Sequence, residues 1–269
     1  MPYLKTDDDV ELYFEDFGDG AAVVFVHGLS ETHAIWEHQA ADLADEFRTV
    51  TFDWRGVGRS CKPRAGYTLD AVTSDLISLI THLDSGPVTL VAQGTGNNVA
   101  LEATYRRPDL VAGLALVCGA PWRSGTRDGV DGGLTEEFVA WASQNLGGSS
   151  LRPKANAELY DRYMFFEDPG PAVKEWYLNM AFETPLHVLK TYNRNVAGAD
   201  HRGRLSEVRC PVLVAHGRHD KKQRYEGAQY FAEHISGAHL VTFENSAHQP
   251  QLEEVARFNE ELRTFLGGT

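Results

Sequence analysis

The chain has 269 residues, with 25 Lys and Arg against 38 Asp and Glu, a formal charge of −13. That length suits one α/β domain with an insertion and a large core. The charge repels nucleic acid and anionic lipid, so neither is expected as a partner.

No apolar stretch is long enough for a membrane span, and the N-terminal MPYLKTDDDV lacks a signal-peptide apolar region. Cys61, Cys118 and Cys210 show neither paired nor C-x-x-C spacing, so a cytoplasmic protein with buried thiols, no disulfide and no zinc is expected. From Leu12 to roughly Leu116, short β-rich runs alternate with helix-periodic segments, which predicts a mostly parallel sheet with helices on its faces. The strand runs are VELYFEDF, AVVFVH, FRTVTFD, PVTLVA and VAGLALVC, with Asp7 to Asp9 as a solvated turn near their start. Trp36, Ala40, Leu43 and Phe47 recur at helical spacing, and Leu69, Val72, Leu76, Leu79, Ile80 and Leu83 mark a second amphipathic helix.

From Trp122 to Ser206 the alternation stops in a helix-leaning, aromatic-rich stretch. An insertion this long between core strands predicts a folded cap. Most of its aromatics are expected in the cap's own core. A minority, for which Trp122, Trp141, Phe165 and Trp176 are the candidates, should face a substrate cleft, because ligand pockets are mainly apolar. The pattern resumes at PVLVAHG and AHLVTFE and closes with Leu252, Val255, Phe258, Leu262 and Phe265 on one helix. The expected division is a core of residues 1–121 and 207–269 with a cap of residues 122–206.

The segment LVAQGTGNNVAL, residues 90–101, runs from a buried strand through a tight small-residue turn into a helix. A nucleophile elbow reads small, any, nucleophile, any, small. Ala92 and Gly96 fill the small positions, which leaves Gly94 in the middle. Together with VFVHG, FDWRGVGRS, PVLVAHGRHD and ENSAHQPQ in this order, the chain resembles the α/β-hydrolase superfamily, and within it the cofactor-free esterase, lactonase and haloperoxidase-like (perhydrolase) branch. The resemblance spans nearly the whole chain and implies an α/β-hydrolase fold, a small-molecule substrate and no cofactor. It implies Asp220 as the triad acid, His248 as the triad base, and the N–H groups of Leu29 and Thr95 as the oxyanion hole. It also implies a structural role for the loop with Asp53, Arg55, Gly56 and Gly58.

His216, His219 and Asp220 do not read as a metal site, since no further ligand set follows. Gly94-Thr95-Gly96 is no phosphate loop: no Lys-Ser or Lys-Thr follows, and a third glycine is replaced by Val99.

Glycine has no nucleophilic side chain, so the acyl-enzyme route is closed at Gly94. Three readings follow. The chain is an inactivated form of a Ser-His-Asp hydrolase of an ester, lactone or peroxyacid; or an enzyme that needs no nucleophile, with His248 as general base for hydrolysis, C–C cleavage, elimination, cyclisation or cofactor-free oxygenation; or a binding protein that has kept the fold.

Overall fold

A computed structural model of the chain describes residues 3–145 and 152–269. Its strands are Tyr3–Lys5 (β1), Glu11–Phe17 (β2), Ala22–Val26 (β3), Arg48–Phe52 (β4), Val88–Gln93 (β5), Val111–Val117 (β6), Thr126–Arg127 (β7), Val130–Asp131 (β8), Val212–Gly217 (β9) and His239–Phe243 (β10). All but β7 and β8, which pair with each other, form one eight-stranded sheet in the order β1-β2-β4-β3-β5-β6-β9-β10. β2 runs antiparallel to β1 and β4, and every pair from β4 to β10 is parallel.

Parallel strands covered on both faces read as continuous apolar runs, and β3, β5 and β9 are buried along their whole length. Their side chains divide by parity between two cores. Val24, Val26, Leu90 and Ala92 pack with Leu69–Leu83 (α2) and Gly96–Arg106 (α3). Val23, Phe25 and Val91 face Glu37–Leu43 (α1) and the C-terminal helix. This is the doubly covered parallel sheet that the alternating pattern predicts.

The differences from expectation are local. The helix expected from Trp36 to Phe47 ends at Leu43 and is preceded by a 3₁₀ turn, His33–Trp36, whose cap Thr32 accepts from the Ala34 N–H. The turn from Asp7 to Asp9 is not merely solvated. Asp8 takes two hydrogen bonds from Arg55, whose other edge is paired with the buried Asp75.

The insertion contributes Glu136–Asn145 (α4), Arg152–Leu159 (α5), a π turn Tyr160–Met164, Pro171–Phe182 (α6) and Leu186–Asn195 (α7). Residues 146–151 of the expected cap lie outside the described residues. Phe138, Trp141, Tyr160, Tyr163, Phe165 and Tyr177 join the α1 side of the core. The chain closes with Tyr225–His234 (α8), Pro250–Glu253 (α9) and Val255–Leu266 (α10). No helix among the described residues is long and apolar enough to cross a membrane.

The single closing helix expected from Leu252 to Phe265 is broken at Glu254, whose φ of −122° and ψ of 51° leave the helical region. The break frees two consecutive carboxylates. Glu253 accepts from the N–H groups of Phe166 and Ala247, and Glu254 from the Asn245 N–H and the Ser246 hydroxyl.

Candidate active site

The turn from β5 into α3 sets the site. Gly94 sits at φ +54°, where L side chains are strained, and its N–H donates to the Val117 carbonyl at 2.9 Å. Gly96 meets a different constraint: a Cβ there would lie 2.7 Å from the His27 carbonyl oxygen and 2.8 Å from that of Val26. Any side chain would lever α3 off β3. At Gly94 a Cβ would meet only His248, with Nε2 at 3.5 Å and Cε1 at 4.0 Å.

Asp220 leaves the loop after β9. Its Oδ2 accepts from His248 Nδ1 at 2.7 Å, and both side chains are only 1% exposed. Its Oδ1 accepts the backbone N–H groups of Lys222 and Gln223, each at 2.8 Å. Burial works to raise the Asp220 pKa, but the facing His248 and His216 and these N–H donors outweigh it, and the carboxyl stays below its ordinary value. With Nδ1–H given to Asp220, His248 presents the Nε2 lone pair to the site. Burial lowers the His248 pKa, Asp220 offsets part of this, and Lys222 lowers it further, so the imidazole is held neutral below its ordinary range.

The backbone of His248 is fixed from two sides. Gln93 Nε2 donates to its carbonyl, and its N–H donates to the Met164 carbonyl, both at 3.2 Å. Glu31 joins the loop after β3 to the His248 loop, accepting from the Gly28 N–H at 2.9 Å and from Gln249 Nε2 at 2.8 Å. The N–H groups of Leu29 and Thr95 find no acceptor among the described residues. Thr95 caps α3, where the helix dipole favours negative charge.

Gly94, Asp220 and His248 are therefore brought together. The four aromatics expected at the substrate are distributed differently. Trp122 is packed edge-on against Tyr230 and donates to the Gly125 carbonyl. Trp141 stacks among Phe138 and Tyr163. Phe165 and Trp176 flank Tyr177 and line a cleft of about 610 Å³ that also takes in Glu37, His38 and Glu253, but none of Gly94, Asp220 and His248.

Sequence reasoning passed over Lys222. Its Nζ lies 3.1 Å from His248 Nε2 and 3.9 Å from Met164 Sδ, with the Phe138 ring 5.7 Å away. Two lysines follow Asp220 in sequence; the first is exposed and the second turns inward, a distinction that spacing on a loop does not carry.

The Cys118 thiol, Asp220 and His248 fall within 4.8 Å of one another, yet they fit a metal poorly. Asp220 and Nδ1 are already paired at 2.7 Å, which leaves no room for an ion between them. Burial, reinforced by Asp220, holds the thiol protonated.

The family described as alpha/beta hydrolase fold matches residues 21–255. Among curated relatives, AB hydrolase superfamily protein YisY of Bacillus subtilis (strain 168) is 28% identical over 98% of each chain. Non-heme chloroperoxidase CPO-A1 of Kitasatospora aureofaciens is 29% identical over 99% of each. Among solved structures, an esterase from Exiguobacterium antarcticum is 27% identical, with a TM-score of 0.90 over 98% of both chains.

Proposed function

Because the chain belongs to the α/β-hydrolase fold family, in its esterase and haloperoxidase-like branch, we propose that it is a hydrolase of an ester or lactone of a small to medium apolar molecule, working without an acyl-enzyme. The observation that carries this reading is the open position beside His248: Nε2 lies 3.5 Å from where a side chain on residue 94 would begin, with Nδ1 tied to Asp220.

In this reading a water takes the position that a nucleophile would hold. His248 accepts its proton as the oxygen attacks the carbonyl carbon, and the developing oxyanion is met by the Leu29 and Thr95 N–H groups. Collapse of the tetrahedral species expels the alcohol, which takes the proton back from His248. Asp220 keeps the imidazole in one tautomer and steadies its charged form.

The reading of Gly94 as the remnant of a serine gives the same bond and the same base. Direct attack by water is favoured because residue 94 brings no side chain to attack in its place; the water, like a serine hydroxyl, needs Nε2 released by Lys222.

The test is hydrolysis of short-chain aryl esters. His248→Ala should lower kcat/KM by about 10²–10⁴, the usual contribution of a general base. The unmodified chain should release alcohol without a stoichiometric burst, since no acyl-enzyme accumulates. A burst, or turnover indifferent to His248, would overturn the reading.

A further inference from the structure

The loop that presents Asp220 also presents an amine. Asp220 Oδ1 accepts the N–H groups of Lys222 and Gln223, and this tight turn directs the Lys222 side chain inward to His248. The loop is held by the start of the α4 segment: the Thr135 N–H donates to the Lys222 carbonyl at 3.0 Å, the Thr135 hydroxyl to the Lys221 carbonyl at 2.7 Å, and the Arg224 N–H to the Gly133 carbonyl at 2.9 Å. Lys222 is thus positioned by backbone bonds on both sides.

Its surroundings differ from those of the ion-paired surface lysines. Lys5, Lys154 and Lys174 each reach a carboxylate within 4 Å. Lys222 has no such ion pair among the described residues, and its amine faces a thioether, an aromatic ring and an imidazole lone pair. Glu31 and Asp220 act on it only from farther away. Burial prevails over them and lowers its pKa, the situation that turns a lysine into a nucleophile.

A purely structural lysine here would be self-defeating, because it would hold the only free lone pair of the base in a dead-end bond. The conflict disappears if the amine is itself the group whose proton His248 takes, as it would take a hydroxyl proton in a triad. Nζ to Nε2 at 3.1 Å is within the reach of such a pair.

We propose that Lys222 is a catalytic nucleophile that condenses with the carbonyl of an aldehyde or ketone to form an imine, with His248 carrying the proton. The inference rests on the reading of this site as a carbonyl site served by His248. Lys222 passes one proton from its ammonium to Nε2. The freed nitrogen pair forms the C–N bond as the carbonyl π pair moves onto oxygen, and a second proton passes from nitrogen to that oxygen. His248 then returns its proton as the C–O bond breaks and water leaves, so ammonium and carbonyl become iminium and water with imidazole neutral again.

The chemistry also selects the substrate class. Attack of an amine on an ester would end in a stable amide, whereas an imine is hydrolysed and regenerates the lysine. An aldehyde or ketone carrying a β-hydroxyl or second carbonyl group fits best, since the iminium accepts the electrons released on C–C cleavage.

The experiment treats the full chain at neutral pH with benzaldehyde and borohydride, and separately with acetylacetone, and maps the modified lysines by peptide mass. The chain has seven lysines, so the other six are internal controls. A lysine whose pKa is lowered holds more neutral amine at neutral pH, so Lys222, set against the His248 base, should label faster than any of the other six. Lys222→Arg, which keeps the charge but forms no imine, should lose that label. Mapping on the unmodified chain decides the matter even where a variant folds poorly. Labelling spread over the other lysines with Lys222 spared would overturn the proposal. If His248-dependent ester hydrolysis persists in that case, only the lysine assignment falls; selective labelling without ester hydrolysis would retain the lysine and retire the ester.

Discussion

A serine at position 94 would begin 3.5 Å from His248 Nε2 and compete for the lone pair that Lys222 holds at 3.1 Å. Gly94→Ser alone should therefore add little ester hydrolysis. Gly94→Ser combined with Lys222→Met should add at least about 10²-fold, part of the roughly 10⁶ that a nucleophile contributes in a complete triad. The comparison is of aryl-ester turnover by the single and double variants. The serine should also cost about 1 kcal/mol of stability, because a Cβ at φ +54° is strained, which a urea midpoint will register. Lys222 further depresses the His248 pKa through its charge. Lys222→Met should accordingly shift the acid limb of the ester-hydrolysis profile to higher pH, since neutral imidazole is the active form; an unmoved limb would mean that the two groups do not share a field. Gly94, Asp220 and His248 were legible in the sequence because motif order along the chain fixes where strand ends converge. Lys222 was not, because its inward turn depends on Asp220 Oδ1 capping two amides and on α4 docking from far away in sequence.

Elements carry the site through contacts that hydrophobic periodicity cannot express. The strand runs and α2 were readable because burial on one or both faces leaves a regular apolar pattern. The break between α9 and α10 was hidden, since Leu252, Val255, Phe258 and Leu262 keep helical spacing across it while Glu253 and Glu254 turn back to the His248 loop. The closeness of α3 to β3 was legible only as a small residue at position 96. Its physical content is a backbone approach that leaves 2.7 Å for a Cβ, well inside carbon–oxygen contact. Gly96→Ala should therefore destabilise the fold by about 1–3 kcal/mol through overpacking. It should also lower ester turnover, because the Thr95 N–H moves with the helix. Denaturant unfolding and kcat/KM on the same sample check both effects; turnover lost at unchanged stability would mean that α3 shifts without strain.

At the scale of the whole molecule, buried histidines and shielded carboxyls set opposing dependences on pH. Burial lowers the pKa of both His27 and His201 to about 4, while an unfolded histidine titrates near 6.5. Between these values the unfolded chain binds protons that the native chain refuses. Each histidine therefore contributes stability that is complete above pH 6.5 and is lost as pH falls toward 4. Glu253 works the other way. Burial raises its pKa from 4.5 to about 7, so the native state holds a proton that the unfolded state has released, and this contribution is lost as pH rises from 4.5 through 7. His216 and His248, lowered by burial, add to the acid-side loss, and Glu31, raised by burial, opposes it. Differences between variants isolate single members of this set. Going from pH 6.5 to 4.5, a histidine with these two pKa values loses about 2 kcal/mol of stabilisation. His201→Gln should thus shrink the drop in unfolding free energy over that interval by about 2 kcal/mol. Glu253→Gln should enlarge it, because the compensating proton is gone. Urea unfolding at pH 6.5, 5.5 and 4.5 measures both. An unchanged drop in His201→Gln would mean that the imidazole is protonated inside the fold, beside Tyr105 and Arg204, at the same pH as in the unfolded chain.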